Sequence, residues 1–292
     1  MAILMKGPDV AEGMKASLTA EVESLKDNGI TPTLAVIRVG SREDDMSYER
    51  GALKRCAALG ISAKVIELPP DTEQDAFDSA FVKVNDDPSV HGILLFRPLP
   101  RHLSDDFARR VIDPRKDVDG MSFVNAARVF AGEVGTGHDT FAPCTPCAVM
   151  ETLSHYGVSL EGKRAVIVGR SMVAGRPLAM LMLAANATVT ICHTRTKDLA
   201  EICRNADILV AAAGRAGLIG AECVTDKTVV ADVGINVGPD GKLCGDVDFD
   251  AASRVAAAIS PVPGGIGAVT TSVLAKHILM AARLLSIRRK VV

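Results

Sequence analysis

Tyr48 stands near the start of "DDMSYERGALKRCAALGI", residues 44–61, a stretch with the pattern of a helix. From that place a phenol can point out of the helix end into a cleft, to stack or to hydrogen-bond. A Tyr-Lys catalytic pair would carry its lysine four residues later on the same face, and that position is Ala52. Lys54 is turned away from Tyr48 by about 240°, at roughly 100° per residue. Arg55 returns to the same side but lies about 10 Å along the axis. The alternative to any use of Tyr48 in chemistry is simple packing of its ring.

A second arrangement suits phosphate. In "RAVIVGRSMVAGRPLAM", residues 164–180, a buried strand leads into a tight turn at Gly169, then into a helix from about Gly175 with Arg176 and Pro177 in its first turn. Backbone N–H groups and a helix N-terminus would face a pyrophosphate, and proline is tolerated where its missing donor would be unpaired. The spacing is not G-x-G-x-x-G, so a merely structural glycine turn is the competing reading. A hydrolase elbow fails because Val173 stands where glycine is required. After the next strand the chain reads "CHTRTKD", without the carboxylate that usually holds the ribose of NAD. Thr194 and Arg195 offer a hydroxyl and a cation instead, with Arg170 as a second cation, which favours NADP over NAD. An exposed arginine after a strand is the plain alternative.

Other motifs carry less. "CTPC", residues 144–147, could be a redox pair or half a zinc site, but no second Cys-x-x-Cys or paired histidine completes a ligand set, so it reads as two unpaired thiols by a turn. "DPRKDVDG" has the outline of a calcium loop, but Arg115 occupies the ligand position two residues before Asp117. Asp119 in that loop is then either a solvated turn residue or a group at a site's rim. Gly264 and Gly265 permit unusual backbone angles. His91, His102, His138, His155, His193 and His277 form no visible cluster, and no metal site is expected.

The elements that must position these residues alternate. Helix over about 8–28, strand "TLAVIRVG", helix 44–61, strand "SAKVIEL", helix 73–86 and strand "VHGILLF" form one series. Strands "RAVIVG", "ATVTICH", "DILVAAAG" and "TVVADVGI", with helices between the first three, form another. Short Val- and Ile-rich runs between amphipathic helices indicate βαβ units on parallel sheets, whose ligands gather at the carboxyl ends of the strands. Gly and Pro punctuation near "TFAPCTP" and "SPVPGGIG" marks two crossings between lobes, and the helix "VTTSVLAKHILMAARLL" returns to the first lobe. The expected domains are 1–145 plus 272–292, and 146–271.

A chain of 292 residues that is 48% hydrophobic and 23% charged can build two domains with buried cores. The net charge of -2, 3% aromatic content and absence of Trp argue against a nucleic-acid surface. Apolar runs are interrupted short of a bilayer's thickness and no signal-peptide layout opens the chain, so no membrane partner and a cytoplasmic location are expected. Seven widely spread cysteines, an odd number, suit reduced thiols.

With these pieces in order, the sequence resembles the methylenetetrahydrofolate dehydrogenase/methenyltetrahydrofolate cyclohydrolase family over nearly its whole length. The segments that carry the resemblance are "VGSREDDMSYERGALKRCAALGI", "GILLFRPLP", "KDVDGMSFVN", "PCTP", "GRSMVAGRP", "ATVTICHTRT", "DVGIN", "GDVDF" and "PVPGGIGAVT". It implies a two-lobed α/β fold, with an N-terminal folate-binding catalytic domain, a C-terminal Rossmann-type NADP domain and a cleft between, assembled as a homodimer. The implied chemistry is hydride transfer from methylenetetrahydrofolate to NADP, followed in many members by hydrolysis of the methenyl cation to formyltetrahydrofolate. By the same resemblance Tyr48 would stack on the folate and Asp119 would hydrogen-bond the pterin. Pro263, Gly264 and Gly265 would shape the wall where folate meets nicotinamide. Gly169, Arg170, Ser171, Thr194 and Ile235 would hold NADP.

The chain departs from the family pattern where a lysine and a glutamine are usual, at Ala52 and Phe96, with Arg97 following. Ala148 stands in place of a usual glycine and Ala268 in place of a usual proline. Hydride transfer needs positioning and stabilisation of a cation but no general acid or base, whereas hydrolysis needs an activated water and mobile protons. The expectation is therefore a dehydrogenase with weak or absent cyclohydrolase activity. A fully bifunctional enzyme is the nearest alternative. A short-chain dehydrogenase fails, because Ala52 replaces its lysine and the glycine turn follows the tyrosine. A non-catalytic folate or dinucleotide binding protein is disfavoured by the joint presence of Tyr48, Asp119 and "PVPGG".

Overall fold

The computed structural model describes residues 2–135, 140–239 and 241–287; His138, one of the unclustered histidines, lies outside them. The chain opens with β1 (Ile3–Leu4) and α1 (Gly7–Asp27). It divides into two compact units, Met14–Cys144 with Thr271–Val292, and Met1–Gly13 with Thr145–Thr270.

In the first unit β2 (Thr33–Val39), β3 (Ser62–Leu68) and β4 (Gly92–Leu95) form a parallel sheet of order β3-β2-β4. The crossovers are α2 (Glu43–Leu59) and α3 (Gln74–Asp86), followed by α4 (Asp106–Val111) and α5 (Phe123–Phe130). Every residue of the central strand β2 is buried, as expected of a mostly apolar strand covered on both faces, and its one charge, Arg38, is buried with a partner. Phe77 and Phe81 of α3 are fully buried in one cluster with Ala35, Ile37, Ile93 and Leu95, each ring contributing about 1.5–3 kcal/mol on removal from water. The loop after α4 runs beside β4: the Ile93 N–H donates to Lys116 O at 2.7 Å, and Ile93 bridges Asp117 in parallel. That pairing carries Asp119 to the carboxyl end of the sheet.

The helix α6 (Cys144–His155), whose first residue still belongs to the first unit, leads into the second, followed by β5 (Arg164–Val168), α7 (Gly175–Ala184), β6 (Thr188–Cys192), α8 (Leu199–Arg204), β7 (Ile208–Ala211) and β8 (Val229–Asp232). A short antiparallel pair, β9 (Asn236–Val237) and β10 (Leu243–Cys244), α9 (Phe249–Ala252) and β11 (Ala258–Ile259) complete it. The sheet order is β1-β11-β8-β7-β5-β6, all parallel. Strand order reverses at β5, whose neighbours are β6 on one side and β7 on the other; ligands of open parallel sheets bind beyond such a switch point.

Residues 1–13, expected with the folate-side lobe, belong to the other unit. The Ile3 and Leu4 pairing with Ala258 and Ile259 of β11 holds them there, and Met5 is wholly buried. The last helix, α10 (Thr270–Ile287), belongs from Thr271 onward to the first unit. The stretch Ile266–Ser286 is long and apolar enough to cross a bilayer by length and composition, contrary to the sequence reading, but 61% of it is buried inside the fold. Its apolar residues, among them Val273, Leu274, Ile278 and Leu279, are core residues.

Candidate active site and dinucleotide site

On the first unit, Tyr48 is half-buried in the first turns of α2. Its backbone is fixed from next door: Glu49 is buried and pairs with the buried Arg38 of β2 at 2.9 Å, while Arg38 also bonds Gly40 O and Glu67. A buried pair leaves an uncompensated charge if either partner is removed, so it pins the register of α2 against β2. The Tyr48 ring meets Phe96 edge to face, with centroids 5.9 Å apart, a favoured aromatic geometry. Ala52, one turn on, is 1% exposed. Arg42 Nη1 donates to Pro98 O at 3.0 Å, tying the loop after β2 to the loop after β4.

Asp119 lies beside this group. Its Oδ1 accepts the N–H of Cys144, the first residue of α6, at 3.0 Å. Its Oδ2 faces Arg97 Nη2 at 3.9 Å, and Arg97 Nη1 is 3.6 Å from Asp105 Oδ2. Burial pushes the Asp119 carboxyl above its ordinary pKa, against the opposing pull of the Cys144 N–H and the Arg97 charge. The loop itself is built by Asp117, whose carboxylate accepts from the N–H groups of Met121 and Ser122 and from Asn125 Nδ2. Arg115, the residue that spoiled the calcium pattern, forks onto Asp113.

Cys144 and Cys147, in the first turn of α6, form no disulfide. Cys144 Sγ is 3.8 Å from His277 Nδ1, which has the outline of a nucleophile and base. It is not one, because His277 Nδ1 and Cys144 Sγ both reach Val118 O, at 2.8 and 3.4 Å. A carbonyl only accepts, so Nδ1 carries the hydrogen and cannot take the thiol proton.

On the second unit, a cavity of about 440 Å³ lies beyond the carboxyl ends of β5, β6 and β7. Gly169, Arg170, Ser171 and Thr194 line it, together with His193, Thr196 and Arg215. Gly169 has φ +137°, and a Cβ there would collide with Ala212 O. A Cβ on Gly175 would collide with Gly169 O, so glycine lets the start of α7 close on the turn. This cradle fits a pyrophosphate. Arg195 is exposed and outside the lining. Arg215 brings a cation that the sequence reading missed, because it follows β7, far along the chain from the glycine turn. Ile235 falls elsewhere: it lines a second cavity of about 230 Å³ with Pro263, Gly264 and Gly265.

Two buried carboxylates, both missed in the sequence, support these walls. Asp246 accepts from the N–H groups of Ala213, Gly214 and Arg215 and from Asn236 Nδ2, at 2.5–3.0 Å. Asp232 accepts from the N–H groups of Gly234, Asp246 and Val247. Burial raises Asp232 to a pKa of about 6, although those three N–H groups pull the other way. "DVGIN" and "GDVDF" hold the residues, but nothing in either segment shows that they meet.

A parallel sheet with a glycine cradle at its switch point, joined in one chain to a second α/β unit carrying its own polar cluster, defines a two-domain dinucleotide-binding fold. Residues 143–286 match the NAD(P)-binding domain of tetrahydrofolate dehydrogenase/cyclohydrolase, and residues 5–119 match its catalytic domain. The bifunctional protein FolD of Alkaliphilus oremlandii is 51% identical over 97% of this chain and 98% of its own length. The crystal structure of the bifunctional FolD dehydrogenase/cyclohydrolase from Campylobacter jejuni superposes with a TM-score of 0.93 at 38% identity, covering 97% of this chain and 99% of that one. A Trypanosoma brucei methylenetetrahydrofolate dehydrogenase-cyclohydrolase, complexed with NADP and an inhibitor, gives 0.92 at 38% identity, covering 98% and 99%. The chain belongs to the tetrahydrofolate dehydrogenase/cyclohydrolase family.

Proposed function

We propose that the chain oxidises methylenetetrahydrofolate to methenyltetrahydrofolate with NADP, in a homodimer. The observation that carries this reading is the cradle at the end of β5, where Gly169 and Gly175 clear a space beside Arg170 and Ser171. NADP, when bound, supplies the hydride acceptor. Gly169, Arg170, Ser171 and Thr194 hold it, with Arg215 beside them, and the cations favour the 2′-phosphate. Ile235 and Pro263–Gly265 form a wall for the nicotinamide end. Residues 14–144 with the last helix take the folate: Tyr48 stacks on its ring system and Asp119 accepts a pterin N–H.

The second step has two readings. The relatives are named for both activities, and that supports a bifunctional enzyme better than the dehydrogenase-only expectation. The specific observation for a weakened hydrolysis is the buried methyl of Ala52 with the ring of Phe96 against Tyr48. Neither side chain can accept or release a proton. Parallel assays on the purified protein test both steps, one following NADP or NAD reduction and one following methenyltetrahydrofolate opening. Reduction of NADP is expected. Opening at a rate comparable to reduction supports the bifunctional reading, and opening no faster than buffer supports the dehydrogenase-only one. Absence of cofactor reduction with either nucleotide would sink the whole assignment.

A further inference from the structure

Arg97 follows Phe96 at the carboxyl end of β4, with its side chain 18% exposed. Its guanidinium lies between two carboxylates, 3.6 Å from Asp105 and 3.9 Å from Asp119. These separations exceed hydrogen-bond length, so the link to Asp119 is one of charge. The groups facing Asp119 are Arg97 with Asp105 behind it, Asp117 from the same loop, the Cys144 N–H and thiol from α6, and His277 of α10 through Cys144. Of these, Arg97 alone carries a fixed positive charge. The inner face of α2 offers none beside Tyr48, since Ala52 is buried there and Lys54 is exposed.

We propose that Arg97 is a positioning residue that supplies positive charge to the folate site, favouring the anionic form of the Asp119 carboxyl against the burial that opposes it. The inference rests on the reading of Asp119 as a folate contact. It follows that the charge of the site stands on β4 and not on α2. A guanidinium stays protonated throughout the working range, so Arg97 steadies an anion but moves no proton. It therefore serves hydride transfer and does not substitute for a general base.

The test compares Arg97→Gln, Arg97→Leu and Arg97→Lys with the unaltered chain. An opposite charge within about 4–6 Å lowers a carboxyl pKa by roughly 1–3 units. Removing it in Arg97→Gln and Arg97→Leu should move the acid limb of the dehydrogenase kcat/KM profile upward by about one pH unit. The KM for methylenetetrahydrofolate should rise about tenfold, the size of one such unit, with the KM for NADP unchanged. Arg97→Lys should keep both near their original values. Asp105→Asn, which frees Arg97 toward Asp119, should move the acid limb downward. The same groups can be followed without turnover by ¹³C NMR titration of the Asp119 carboxyl in folded protein. A rise in its pKa in Arg97→Gln supports the proposal, and an unchanged titration overturns it whether or not the enzyme turns over this folate. An active wild type with unchanged limb and folate KM in Arg97→Gln sinks the role of Arg97 alone, while an inactive wild type sinks the functional reading. Should Arg97→Leu fail to give a native circular dichroism spectrum, Arg97→Gln, which keeps a polar, hydrogen-bonding end without the charge, decides.

Discussion

Ala52 is buried one turn from Tyr48, and Cys56, one turn further on the same face, is buried too. A lysine at position 52 would therefore enter packed space. Ala52→Lys is expected to cost about 1–3 kcal/mol, the usual range for overpacking, read as a lower midpoint in urea unfolding. Phe96 touches Tyr48, which lies one turn from Ala52 on α2, so through this shared neighbour Ala52→Lys with Phe96→Gln should cost less than the sum of the single changes, by at least about 0.5 kcal/mol. If the water step is limited by a missing proton carrier, the double variant also raises the ratio of methenyl opening to cofactor reduction. Strict additivity in stability with an unchanged ratio would show that the two positions are independent and that the departures do not concern hydrolysis.

At the scale of elements, the two walls of the dinucleotide site depend on different devices. The turn after β5 depends on space: Gly169→Ala places a Cβ against Ala212 O at a φ that side chains rarely adopt. The expected cost is about 1–3 kcal/mol for held backbone strain, with loss of NADP binding by fluorescence titration. The loop after β7 depends on one carboxylate, because three successive N–H groups end on Asp246. Asp246→Ala should destabilise by about 2–4 kcal/mol, the scale of several bonds to a charged acceptor. The KM for NADP should rise while the KM for folate stays within twofold, roughly the spread of context effects. A proportional rise in both constants would mean that the unit as a whole has loosened.

At the scale of the molecule, the first few residues complete the second unit's sheet. Deleting residues 2–6 strips β1 from β11 and removes the wholly buried Met5. The expected loss is about 2–5 kcal/mol, as for emptying a buried side-chain site, and hydrogen exchange should quicken at β11 and β8 before β2 and β4. Stability should also respond to pH through Asp232. Its carboxyl rises from 3.8 to about 6 on folding, mainly through burial, so the folded chain holds a proton there that the unfolded chain has released. The contribution of this group to stability thus falls as pH rises from about 4 to 6 and is flat above. Denaturant unfolding at pH 4.5 and pH 7, compared with Asp232→Asn, checks it: the difference between wild type and variant must change in that window.

By itself the sequence determined the elements whose pattern is long and periodic. The strand at Thr33–Val39, the helix at Glu43–Leu59 and the strand–turn–helix from Arg164 lie where apolar spacing and glycine put them, because local sterics and one buried face suffice to specify them. It also determined that Gly169, Arg170, Ser171 and Thr194 belong together, since they end neighbouring strands of one sheet. Only the tertiary structure decided the rest. Two residues of β1 have no period to read, and they joined the unit that lies farther along the chain because the edge of β11 was open to pairing. Arg97 met Asp119 because Ile93 and Lys116 share a backbone hydrogen bond. Asp246 found its four donors in loops more than 30 residues away and in Asn236. Local spacing specifies elements, but a charge acts on whatever the packed chain brings within a few ångströms of it.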